Sequence, residues 1–174
     1  MRLIFIMLFF SQLSFGQVQI KGGVNMSQTT ESKSRMGYQL GVGKDFKIKN
    51  LILVPEAMFS LKRAMFTGQE IHMNYIEPGF LVGYEKNDKY IFGGNSLSVN
   101  IYSKSKTMIS PREFLFLPVP LTNNIDWVQV FGFGYKVKAE GEVLFLEARG
   151  SFGTLNQYRK SKNISIGIVA GIYF

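Results

Sequence analysis

The chain has 174 residues, 46% hydrophobic and 14% aromatic, with 18 Gly, no Cys, and 20 Lys and Arg against 12 Asp and Glu. That length suits one compact domain, and an ordinary apolar share with only 18% charged residues excludes an intrinsically disordered chain. The absence of cysteine excludes disulfide scaffolds, Cys-ligated zinc and thiol catalysis, and a single histidine, His72, excludes a His-rich metal site.

The chain opens with Met1 and the positive charge of Arg2, followed by an unbroken apolar run over residues 3–10. Ser14 and Gly16 then place small side chains three residues and one residue before Gln17. This is the pattern of a secretory signal peptide cleaved after residue 16. Its apolar run is far too short for a transmembrane helix, which takes about 20 residues. The mature domain is therefore expected to span residues 17–174.

From Gln17 onward the hydrophobic period is two, and strands are expected at 18–27, 35–46, 51–62, 71–85, 89–102, 126–138, 142–153 and 164–174. In the second of these, Met36, Tyr38, Leu40 and Val42 alternate with Gly37, Gln39, Gly41 and Gly43. In the last, Ile164, Ile166, Ile168, Ala170, Ile172 and Phe174 share one face. The opposite face is made of Gly, Ser, Asn and Gln with scattered charges. Such a face is too small and uncharged to meet bulk water, yet it suits the crowded lumen of a narrow barrel whose apolar side meets lipid. Backbone groups in lipid must all be paired, so the strands must close on themselves. The expected fold is all-β, an eight-stranded antiparallel up-and-down transmembrane β-barrel.

The connections agree with that fold. Those at 47–50, 86–88 and 139–141 are short, whereas those at 28–34, 63–70, 103–125 and 154–163 are long, the asymmetry of periplasmic turns and outer loops. Pro55 and Pro78 fall inside adjacent strands, where a missing N–H is expected to force a bulge at each. Residues 114–121, FLFLPVPL, contain two prolines and are expected to form no regular paired strand. They would instead pack over the barrel mouth, lie on the outer leaflet or dock a partner.

The segments GVNMS (23–27), GYQLGVGKDF (37–46), LVPEAMFSLKRA (53–64), NYIEPGFLVGY (74–84), FGFGYKV (131–137), LEARGSFGTLN (146–156) and the closing GIVAGIYF resemble, in order, the porin-like outer-membrane β-barrel (PorT-like) family. The resemblance covers nearly all of the mature chain. It implies an eight-stranded barrel in the outer membrane of Gram-negative bacteria and mostly no assigned chemistry.

Within the strands, Lys21, Glu56, Glu77, Glu147 and Arg149 fall on the face opposite lipid. A bare charge on the lipid side at mid-membrane costs about 2–4 kcal/mol, so these five are expected to point inward and pair as a structural network. An ion or proton path is the functional alternative. A barrel of eight strands is filled by its own side chains, so no open pore is expected. The outer connections and the strand ends beside them hold Lys33, Arg35, Lys62, Arg63, Lys104, Lys106, Arg112, Arg159, Lys160 and Lys162 against Glu31, Glu70 and Glu113. That surplus of seven is the whole net charge of the chain after residue 16. Clustered ammonium and guanidinium groups attract phosphates, so this rim is expected to contact lipopolysaccharide or acidic surface polymers; a solvated loop set without a ligand is the other reading.

Export sets nucleic acid aside as a partner. Phe174, the terminal aromatic, looks like the mark read by the barrel-assembly machinery. The other expected partners are outer-membrane lipids; no cofactor or metal is expected, and the chain is expected to be a monomer. A structural or surface-interaction role without enzymatic activity is the expected function. One alternative is an accessory of protein secretion or surface attachment. The other is a lipid A-modifying barrel using His72 with Ser60 or Glu70 near the outer rim.

Overall fold

The structure is a computed structural model that describes residues 16–30, 32–66, 69–110, 113–119, 123–155 and 162–174; the expected signal peptide lies almost entirely outside them. The described residues contain no helix. The strands are β1 (Gln17–Thr29), β2 (Lys33–Ile48), β3 (Leu51–Phe66), β4 (Gln69–Lys86), β5 (Lys89–Ser110), β6 (Glu113–Pro118), β7 (Ile125–Ala139), β8 (Glu142–Gly153) and β9 (Asn163–Tyr173). Eight of them close a barrel. Each pairs antiparallel with its sequence neighbour, β5 pairs with β7, and β9 returns to β1. Following the register from Gln19 through Gly43, Glu56, Gly79, Ser96, Val128 and Gly153, and stepping to Asn163 by the register that sets Phe152 opposite Ile164, leads back to β1 at Thr29, ten residues further along. This stagger tilts the strands against the barrel axis.

One end of the barrel is closed by two-residue turns. Asn87 and Asp88 (φ 52° and 62°) and Glu140 and Gly141 (φ 49° and 91°) take the left-handed conformations that match the twist of a hairpin. At the other end the strands run on beyond the barrel. β5 reaches 22 residues, and β7 pairs with it only as far as Val99 opposite Ile125. In the space above, β6 folds back onto β5, from Phe114 opposite Met108 to Pro118 opposite Lys104.

The expectation of no paired strand at 114–121 is thereby corrected for residues 114–118; residues 120 and 121 lie outside the described residues. Pro118 closes β6 and Pro120 lies beyond it, and β6 ends the sheet order, so the far edge of this strand has no ladder bond to lose. The expected bulges at Pro55 and Pro78 are also corrected. Opposite Pro55 the β2–β3 register is the same on both sides, Phe46 with Leu53 and Gly43 with Glu56, and bridging lapses only between them. Opposite Pro78 the β4–β5 register likewise runs from Ile76 with Val99 to Gly79 with Ser96. The ladder omits a bond where the N–H is missing instead of inserting a residue, and the Ser96 hydroxyl donates to the Pro78 carbonyl at 3.0 Å. The register slips elsewhere, between Ser34 and Tyr38 and between Asn74 and Tyr75.

The burial pattern is inverted relative to a water-soluble domain. Lys21, Glu56, Glu147 and Arg149 are buried, while Met36, Ile91, Phe133 and Ile166 are each more than 60% exposed. The interior also holds apolar side chains such as Ile52, Val54, Leu81 and Val128, but an apolar exterior around buried charge is the arrangement of a barrel set in lipid.

Candidate functional site: the charged lumen and the outer rim

The lumen is built from the inward side chains of alternating residues. At mid-height, Lys21 from β1 donates to Glu56 Oε2 at 2.6 Å. Arg149 from β8 grips the same carboxylate with both terminal nitrogens, at 2.9 and 2.8 Å, and turns its Nε to Glu147 Oε2 at 2.6 Å. The Tyr90 hydroxyl donates to the other Glu147 oxygen at 2.9 Å. Two cations and two anions thus cancel within one layer, and the forked Arg–carboxylate geometry is the strongest such contact. The glycines of FGFGY make the room. A Cβ on Gly134 would stand 2.3 Å from the Tyr90 ring, and one on Gly132 would stand 2.5 Å from Phe92, the ring that faces the Arg149 guanidinium at 5.1 Å.

Of the five lumen residues expected from sequence, Lys21, Glu56, Glu147 and Arg149 meet in this layer, and Glu77 does not. Glu77 belongs to a layer nearer the outer rim, where Lys62 donates to it at 2.5 Å, Ser60 at 2.6 Å, and Ser98 donates as well. Lys62, expected on the rim, is 3% exposed and lies inside the barrel. The physical reason is that β3 continues past residue 62 to Phe66, and Lys62 keeps the inward parity of Glu56, Met58 and Ser60.

A third layer was not anticipated. Near the short turns, Asp45 accepts from Gln19 at 2.7 Å, Tyr173 at 2.8 Å and Lys136 at 3.2 Å, and Lys136 reaches Glu85 at 2.8 Å. Lys47 also bonds Glu85. The signal for this layer was present in the alternation: Asp45 follows Gly41 and Gly43, Glu85 follows Glu77, and Lys136 follows Gly132 and Gly134, each on the inward face. Cavities of about 30 Å³ and about 10 Å³ remain among these layers, room for about one water molecule.

The rim presents the other charged residues. Lys33 and Arg35 are exposed at the start of β2. Lys104 lies over the Phe116 ring of β6 at 4.7 Å, with Lys106 further along the same strand, and Lys162 lies over Phe152 at 5.6 Å. Arg63 stands 3.8 Å from Glu70. Arg112, Arg159 and Lys160 lie outside the described residues. His72 Nε2 is 3.3 Å from Glu70 Oε1 on the outward side of β4, whereas Ser60 is fully buried in the lumen against Glu77, so the three residues considered for catalysis are not brought together. No group of three His, Cys, Asp or Glu side chains among the described residues is placed to hold a metal. Phe174 is 69% exposed, and its backbone exchanges hydrogen bonds with Val18.

Residues 10–159 match the family described as outer membrane protein beta-barrel domain. The chain belongs to that family. An outer-membrane location follows from the family, and the closed barrel with an apolar exterior agrees with it. A search of functionally curated proteins returned no match. Among solved structures, the barrel is similar to Neisserial surface protein A, with 12% identity and a TM-score of 0.55 over 91% of this chain and 95% of that one. It is also similar to Ail, the attachment invasion locus protein of Yersinia pestis, with 12% identity and a TM-score of 0.57 over 91% of this chain and 99% of that one. At these identities the likeness is one of fold.

Proposed function

We propose that this outer-membrane barrel is closed to solutes and acts at the cell surface, its basic outer rim binding phosphorylated or sulfated polyanions such as lipopolysaccharide. The observation that carries the reading is a division of charge. Inside, the buried cations Lys21, Lys62, Lys136 and Arg149 are each paired with a carboxylate; at the rim, Lys33, Arg35, Lys104 and Lys106 stand at the outer ends of β2 and β5. A set of cations on one rim concentrates anions there. The structure of Ail was obtained in complex with the heparin analogue sucrose octasulfate, so a barrel of this fold supports polyanion binding. The test is binding of lipopolysaccharide and of sucrose octasulfate by the folded protein and by a variant with Lys33, Arg35, Lys104 and Lys106 changed to Gln. The variant is expected to bind at least tenfold more weakly; equal binding sinks the reading. In planar bilayers the protein is expected to carry no steady current, and a stable conductance would contradict the filled lumen.

Within the family, the ordered segments from GVNMS to GIVAGIYF support a place among the PorT-like barrels. The N-terminal pattern supports export by a signal peptide cleaved after residue 16, leaving residues 17–174 as the barrel, with Phe174 read by the assembly machinery. Of the two partners considered for His72, Glu70 stands 3.3 Å away and Ser60 faces the lumen, and our reading assigns the pair no catalytic role. A second reading, an accessory of secretion or surface attachment, is favoured by β6: Leu115, Phe116 and Leu117 are 42–49% exposed on an edge strand above the barrel. A partner recovered in stoichiometric amount from detergent extracts, and lost on deleting β6, would support it.

A further inference from the structure

Two side chains interrupt the apolar exterior, and neither the lumen nor the rim accounts for them. Asn95 on β5 and Gln129 on β7 are both exposed and are directly paired in the ladder. Their neighbours along each strand confirm that they face outward: Ser96, Val128 and Val130 are buried, while Trp127 and Phe131 are half-exposed or more. Asn95 lies six residues beyond Lys89, where β5 leaves its turn. At about 2.4 Å of height per residue in a strand tilted by about 45°, that is about 14 Å, close to the middle of an apolar band about 25 Å tall. The flanking ladder partners are Phe80 and Phe152.

Acyl chains offer these carboxamides no hydrogen-bond partner at that depth, and headgroups lie at the edges of the band. Each amide has two N–H donors and an accepting oxygen, so one contact between the two leaves most of their capacity unused. We infer that the Asn95–Gln129 patch is the contact point of a dimer within the membrane, occupied by a second copy of this chain. The argument for a second copy is self-complementarity. A two-fold axis sets Asn95 of one copy against Gln129 of the other and repeats the contact in reverse, and carboxamides, unlike charges, satisfy such a like-with-like arrangement. The wall is low enough for close approach. A Cβ on Gly93 would meet nothing nearer than the Val130 carbonyl oxygen at 3.7 Å, and the Phe131 ring lies down over Gly150. The sequence alone suggested a monomer; this polar pair in the lipid belt argues otherwise.

The chain contains no cysteine, so a single introduced thiol reports its own surroundings. In the outer membrane of cells making the full protein, Q129C is expected to give a band of twice the monomer mass with a short bifunctional thiol reagent, which spans the diagonal between the two copies of position 129. V24C, at comparable height on β1 across the barrel, is expected to give at least tenfold less. A second arm keeps the proposal falsifiable without cross-linking: the N95L/Q129L double variant, shown to be folded by heat-modifiable gel mobility, is expected to lose the dimer seen for the parent protein by sedimentation in mild detergent. Equal cross-linking at the two positions overturns the proposal. So does an unchanged sedimentation state on removing the amides, and so does a cross-linked band of a mass other than two copies, which would give the patch to a different protein.

Discussion

Lys62 on β3 and Lys104 on β5 are the same residue type near the same end of the barrel, on strands separated by β4 alone, yet they occupy opposite environments. Lys62 is 3% exposed and fixed between Glu77 at 2.5 Å and the Tyr75 ring at 4.9 Å. Lys104 is half-buried at the outer rim and rests on the Phe116 ring of a strand that stands clear of the barrel. What separates them is the direction in which the strand turns each residue, not composition or distance along the chain. A lysine turned inward becomes part of the packing, and its charge must be matched because it is shielded from bulk water. A lysine turned outward at the rim keeps its charge available to a ligand and contributes little to stability.

The sharpest way to break the comparison is at Arg149. Its removal leaves Glu56 with one remaining cation and Glu147 with only the Tyr90 hydroxyl. Arg149→Ala is expected to destabilise the barrel by about 3–5 kcal/mol, the cost of leaving buried charge uncompensated. Urea unfolding in lipid vesicles measures it, and a loss below about 1 kcal/mol would show that the mid-height layer is dispensable. Lys62→Ala comes next, at about 1–3 kcal/mol, because Glu77 keeps its bonds from Ser60 and Ser98. That figure also tests the placement of Lys62: a rim lysine would lose almost nothing. Gly134→Ala is expected to cost a similar or smaller amount, about 1–2 kcal/mol, by displacing the Tyr90 ring that holds Glu147.

The alternation of residues made the eight barrel strands legible, and it put Lys21, Glu56, Glu77, Glu147 and Arg149 on one face. It did not say which of them meet. Arg149 and Glu56 are 93 residues apart and join only because the closed, staggered ladder brings β8 and β3 to the same height across the lumen. The misplacements arise where parity is not followed to the strand ends: Lys62 closes the expected 51–62 strand on the inward face of Glu56 yet is counted with the rim, and Asp45, Glu85 and Lys136 fall inside expected strands on the same inward face without being counted. At Pro55, Pro78 and Pro118 the error was of another kind. A missing N–H in a ladder predicts a bulge or a loss of pairing, whereas this barrel tolerates an omitted bond at two sites and places the third proline at the end of an edge strand. The rim was legible as charge and not as shape, since β6 becomes a strand only by pairing with the extension of β5 beyond the membrane.

The smallest effect on stability is expected at that rim, where the effect on binding should be large. Changing Lys104 and Lys106 together to Gln is expected to shift the unfolding free energy by no more than about 0.5 kcal/mol, while lowering lipopolysaccharide affinity several-fold. Salt provides a second separation. Exposed charges are screened over about 10 Å at 0.1 M ionic strength and about 3 Å at 1 M, and buried pairs are screened far less. Raising the salt should therefore release the polyanion from the unaltered barrel and leave its urea midpoint nearly unchanged. If high salt unfolded the protein as readily as it released the ligand, the buried layers would not be isolated from solvent, and the distinction between Lys62 and Lys104 would fail.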